Sequence, residues 1–143
     1  MYDMSRVSVY GYNDTTTEEQ RYETKKQLAK QRLEDYKNGT YKLGGGLPDK
    51  VPDDAPLFLK QYFDYYKTPR GYHKRSLNSN NGWNATAGLS LLNTKILAFS
   101  DEIKNAVLVI HGDLAHSLYF SKTSFEKLKG DNKELMIIPG AYH

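Results

Sequence analysis

At 143 residues the chain is long enough for one domain of ordinary size and too short for a second complete one. Its 20 basic and 17 acidic side chains, a formal charge of +3, are mixed along the sequence, so no basic stripe forms to follow a phosphate backbone and nucleic acid is not expected as a partner. Zero cysteines exclude a disulfide framework and thiolate metal sites.

The absence of thiols fits a reducing compartment, and Met1-Tyr2-Asp3-Met4-Ser5-Arg6 is too polar for a signal segment, so a cytoplasmic location is expected. The longest apolar run is about six residues against the roughly 20 that span a bilayer, so no membrane partner is expected. Hydrophobic residues make up 38% of the chain, and the 12 tyrosines predict a thin core with many half-buried rings.

In chain order, Thr17-Glu18-Glu19-Gln20 reads as a capping box that opens a helix. Tyr22, Ala29, Leu33 and Tyr36 recur near helical spacing with Leu28 beside them, and Gly39 supplies a left-handed stop. Residues 40–53, with Gly44, Gly45, Gly46, Pro48 and Pro52, read as a loop, because ordering such a stretch costs too much backbone entropy. Asp53 or Asp54 is the expected cap of a second helix with Pro56 in its first turn. Phe58, Tyr62, Tyr65 and Tyr66 mark one face of that helix, which ends before Pro69. The Asn-rich stretch 78–84 around Trp83 reads as turn chemistry, and 89–103 as one packed helix or two short ones.

The last 38 residues carry the clearest pattern. Ala106-Val107-Leu108-Val109-Ile110 is apolar without alternation, as in a parallel strand covered on both faces, and Glu134-Leu135-Met136-Ile137-Ile138 reads the same way. Between them Ser121 is the expected cap of a short helix through about Leu128. This is one parallel β-α-β unit, and in such folds ligands bind at the C-terminal edge of the sheet.

Val107-Leu108-Val109-Ile110-His111-Gly112-Asp113, Ala115-His116-Ser117, Tyr119-Phe120-Ser121 and the run from Glu134 through Pro139-Gly140-Ala141-Tyr142-His143 resemble the last two strands of dienelactone-hydrolase-like α/β-hydrolases. Met1 to Arg6, Tyr62 to Tyr66 and Thr68 to Tyr72 are similar to a cap segment in one bacterial branch of that superfamily, so the resemblance covers nearly the whole chain. It implies an α/β fold that is the C-terminal part of a hydrolase. It also implies that residues 1–105 are a helical cap or insertion segment and 106–143 the C-terminal β-α-β unit.

The resemblance further implies a triad in the order serine, acid, histidine. His143 matches the base. The usual acid position holds Ala115, and Asp113 is the nearest carboxylate; buried, it would hold the imidazole in one tautomer. Against these stand a solvated terminal histidine and an aspartate bonding its own turn. Tyr72, His73 and Trp83 are loop candidates for substrate binding, with core packing as the alternative. His111 and His116 flank a loop with no third ligand in the sequence pattern, so neither metal nor cofactor is expected. Ser90, in Gly88-Leu89-Ser90-Leu91-Leu92, lacks the second glycine and the preceding strand of a nucleophile elbow.

A serine hydrolase for ester or related acyl substrates follows, with its nucleophile upstream of Met1, which would lie just after the sixth strand. The chain alone is then inactive, and its partners are a small acyl substrate once completed, with a homo-oligomer or a complementary fragment at the open sheet edge. The alternative is a non-catalytic binding or assembly module derived from a hydrolase.

Overall fold

The computed structural model describes residues 3–142. It mixes helices with short strands, in the order α1 (Met4–Tyr10), α2 (Glu18–Asn38), β1 (Leu43–Gly45), α3 (Leu57–Tyr66), β2 (Gly82–Asn84), α4 (Ala87–Asn93), β3 (Val107–Gly112), α5 (Leu118–Lys127) and β4 (Lys133–Ile138). Two compact units divide the chain. One is Ser8–Asn93; the other joins the described residues through Val7 to those from Thr94 onward. No described helix is long and apolar enough to cross a membrane.

In the Ser8–Asn93 unit the capping box forms as the sequence predicts: Thr17 Oγ1 accepts from Gln20 N–H at 3.2 Å, and Gln20 Oε1 accepts from Thr17 N–H at 2.8 Å. Gly39 ends α2 at φ 63°. The apolar stripe does not find a core, since Tyr22, Leu33 and Tyr36 are 61%, 54% and 85% exposed. Leu28 is the half-buried member, 3.1 Å from where a Cβ on Gly88 of α4 would sit.

The glycine stretch is not all loop. β1 pairs antiparallel with β2, Gly44 opposite Trp83 and Gly45 opposite Gly82. A Cβ on Gly82, which has φ +84°, would lie 2.0 Å from the Gly44 carbonyl oxygen, so the missing side chain is what lets the two backbones meet. That close approach offsets the entropy that argued for a loop, and it also puts Trp83 on a strand rather than in a turn.

α3 begins after Pro56, not at Asp53 or Asp54, because Ala55 N–H donates to Pro52 O and commits those aspartates to a preceding turn. Its rings form a ladder with Tyr12. Centroids lie 5.8 Å apart for Tyr12–Phe58, 6.0 Å for Phe58–Tyr62 and 6.4 Å for Tyr62–Tyr66. Burial first, then the neighbouring Tyr12 and Tyr66, push the Tyr62 phenol up from 10.0 to about 12. A folded pKa above the unfolded one stabilises fully below pH 10 and loses that contribution as pH rises toward 12. Alkaline unfolding of this unit is therefore expected within that window. Tyr62→Phe should weaken the pH dependence, followed by circular dichroism against pH; an unchanged profile would place the titrating group elsewhere.

In the other unit β3 and β4 are parallel, with Val109 opposite Leu135 and His111 opposite Ile137. α5 covers the face that carries Val109 and His111, and Phe120, Leu128 and Ala115 are buried with them. Ser117, not Ser121, precedes α5, and it makes no capping bond. The hydroxyls of both serines are turned to His111 instead. Cover on both faces, expected from the unbroken apolar runs, is not supplied by the described residues: Leu108 and Ile110 are each 52% exposed, Met136 40% and Ile138 39%.

α1 adds to this unit through a polar clasp that its sequence did not advertise. Asp3 Oδ1 accepts from Arg6 N–H at 2.9 Å and from the Ser5 hydroxyl at 2.6 Å. The Arg6 guanidinium donates to Thr123 Oγ1 at 3.0 Å and lies 5.1 Å from the Tyr119 ring centroid. The stretch 89–103 yields α4 up to Asn93 and a 3-10 turn at Ser100–Glu102, not a continuous helix.

Candidate functional site

The two loops that leave the C-terminal ends of β3 and β4 are joined by hydrogen bonds. Asp113 N–H donates to Ile138 O and Leu114 N–H to Ala141 O, each at 3.1 Å. Gly140 N–H donates to Asp113 Oδ1 at 2.7 Å. Gly112 permits this junction, because a Cβ there would lie 2.2 Å from the Ala141 carbonyl oxygen, and a backbone atom cannot move aside as a flexible side chain does.

Asp113 is thus tied to the next loop rather than to its own turn, and its side chain is exposed rather than buried as expected for a triad acid. His143 lies outside the described residues. The Asp113–Gly140 bond ends three residues short of it in sequence, so the carboxylate is held against the segment that leads to the predicted base. This edge, outside the carboxyl ends of the strands, is where α/β folds bind ligands.

Beneath the Asp113 loop sits a cluster of buried polar side chains. His111 is 8% exposed, and Ser117 and Ser121 are fully buried. Its Nδ1 lies 2.6 Å from Ser121 Oγ and its Nε2 3.1 Å from Ser117 Oγ. In a neutral imidazole one nitrogen donates and the other accepts, and a hydroxyl serves either role by rotating. The ring therefore clamps the end of β3 to the first turn of α5 and fixes both ends of the loop that carries Asp113. A signal was present in the sequence: Ser117 and Ser121, four residues apart at the start of the crossover helix, put two hydroxyls on one face, where His111 meets them.

The remaining candidates lie in the Ser8–Asn93 unit. Tyr72 is 52% exposed. His73 is exposed in the turn after α3, where its Nδ1 accepts from Arg75 N–H at 3.2 Å and its N–H donates to Ser79 Oγ at 3.3 Å. Trp83 is half-buried on β2, with its ring 2.3 Å from where a Cβ on Gly45 would stand. Ser90 is exposed one turn inside α4, not at a sharp strand-to-helix turn, so the geometry of a nucleophile elbow is not built around it. Among the described residues no three His, Cys, Asp or Glu side chains gather as a metal site would need.

A parallel strand–helix–strand with bonded loops at its C-terminal edge defines the class as α/β. No family model matches the chain. It is 46% identical over 144 aligned positions to uncharacterized protein PA2218 of Pseudomonas aeruginosa, a match that takes in 100% of this chain and 38% of that protein. The crystal structure of hypothetical protein PA2218 from the same organism superposes with a TM-score of 0.90, over 100% of this chain and 44% of the crystallised one. The chain therefore spans well under half the length of the relative it matches.

Proposed function

We propose that the chain supplies the acid- and base-bearing end of an α/β-hydrolase, a serine hydrolase of ester or related acyl substrates, with the nucleophile and oxyanion-hole amides coming from polypeptide outside it. The observation that carries this is the 2.7 Å bond between Gly140 N–H and Asp113 Oδ1, which couples the carboxylate loop to the turn leading to His143. On this reading His143 takes the proton of the incoming serine hydroxyl. Asp113 orients the imidazole and stabilises its charged form, through the oxygen not used on Gly140. The acid stands two residues before Ala115, the position the resemblance favours, and the backbone bonds of the junction bring it to the base-bearing segment from there.

The chain alone should hydrolyse small aryl esters no faster than buffer, because a base and an acid without a nucleophile leave little beyond background. A single polypeptide in which this chain replaces the matched 38% of PA2218 should be active. In it His143→Ala should lower kcat by about 10⁴-fold or more with little change in substrate binding, and Asp113→Asn by about 10²–10⁴-fold. A folded chimera that hydrolyses no ester, or that keeps its kcat after His143→Ala, sinks the reading; an unaffected Asp113→Asn beside a severe His143→Ala moves the acid elsewhere.

A further inference from the structure

Asp113 is exposed, and a carboxylate that orients a base must be held to within about 0.5 Å, since a misplacement of about 1 Å can cost about 100-fold in rate. Side-chain rotation in water gives no such precision, so the loop itself has to supply it. That loop runs from the end of β3 at Gly112 to the start of α5 at Leu118. His111 stands just before its first end and Ser117 at its last. The imidazole joins the two, with Nε2 3.1 Å from Ser117 Oγ, while Nδ1 reaches Ser121 Oγ, inside the helix, at 2.6 Å. Few apolar residues are buried in the same unit, and aliphatic groups in place of this trio would add to them. Apolar contact has no direction, whereas a hydrogen bond fixes distance and angle. An imidazole and two hydroxyls in so small an interior therefore serve geometry better than they serve burial.

We propose that His111 is a positioning residue: through Ser117 and Ser121 it fixes the spacing of β3 and α5, and with it the direction in which Asp113 presents its carboxylate to the segment leading to His143. Ser117 sets the far end of the loop, and Ser121 sets the rotation of the ring from its other nitrogen. The inference rests on the hydrolase reading for what the carboxylate does, whereas the holding of the loop belongs to this chain and is read without turnover. The reporter is the Gly140 amide, because its acceptor is Asp113 Oδ1, with the Leu114 amide beside it on Ala141 O.

Hydrogen exchange of the full chain tests it. In His111→Leu with Ser117→Ala and Ser121→Ala, the Gly140 and Leu114 amides should exchange about tenfold faster or more, while the amides of the β3–β4 ladder keep their protection. The Gly140 rate should approach that of Asp113→Ala, which removes its acceptor. Ser117→Ala alone, a milder change, should speed Gly140 several-fold. His111→Gln, which keeps a donor and an acceptor for the serines, should recover most of the protection. Ser124→Ala, on the same helix and also buried but bonded to the Phe120 carbonyl, should leave the parent's rate unchanged. In the chimera the triple variant should lower kcat about 10–100-fold with KM nearly unchanged, and His111→Gln should restore most of it. A Gly140 rate that stays at the parent's value in both the triple variant and Ser117→Ala would overturn the proposal. So would exchange that rises equally at Gly140 and throughout the ladder, the mark of a role in stability alone, or an unchanged kcat in an active chimera. A chimera inactive from the outset counts against the hydrolase reading, and the amide rates then decide this inference by themselves.

Discussion

Replacing Phe120 with alanine is expected to cost about 3–5 kcal/mol, enough to unfold the unit that holds the β3–β4 sheet. Phe120 is 1% exposed and is the largest fully buried side chain among the described residues. Its apolar company is sparse: Val109, Ala115 and Leu128 are the other buried hydrophobic residues described. A small core cannot collapse around the space left by a phenyl ring, because the sheet on one side is held by its ladder and α5 by its own backbone bonds. Cavity and transfer costs therefore add. Hydrogen exchange should show β3, β4 and α5 losing protection while α2 and α3 keep theirs, and Phe99→Ala, at a site 73% exposed, should stay within about 0.5 kcal/mol of the parent. A loss under about 1 kcal/mol for Phe120→Ala would mean that the ring is not the core of this unit.

The second large effect is expected at His111. His111→Leu keeps a side chain of similar bulk but takes the ring away from two fully buried serine hydroxyls, for a combined loss of roughly 2–5 kcal/mol. The cost comes from two hydrogen bonds lost between buried polar groups where water does not reach. Removing those groups as well, in His111→Leu with Ser117→Ala and Ser121→Ala, should recover most of it. Urea unfolding of the single and triple variants decides the matter. If the triple variant is no more stable than the single one, the ring acts by shape and not by satisfying the serines.

The sequence was most informative where structure depends on neighbours a few residues away. The Thr17–Gln20 capping box and the Gly39 stop appear as read, since both are made within one helical turn. The parallel pairing of β3 with β4 was legible because unbroken aliphatic runs joined through a short helix leave few other ways to bury them. The Asp113 loop was legible as a candidate for the same reason, since it follows the end of such a strand.

Other features were decided only by groups distant in sequence. Gly44 and Gly45 of the triple glycine entered a strand because β2, nearly forty residues on, needs a bare backbone to pair with. Ser121, expected as a cap, lies inside α5 and meets the His111 ring instead, as does Ser117, which precedes the helix. The stripe on α2 and the outer face of the sheet were legible as apolar surfaces, but among the described residues neither is covered. Periodicity states which side chains share a face, whereas burial depends on what packs against that face, and only the tertiary structure supplies or withholds it.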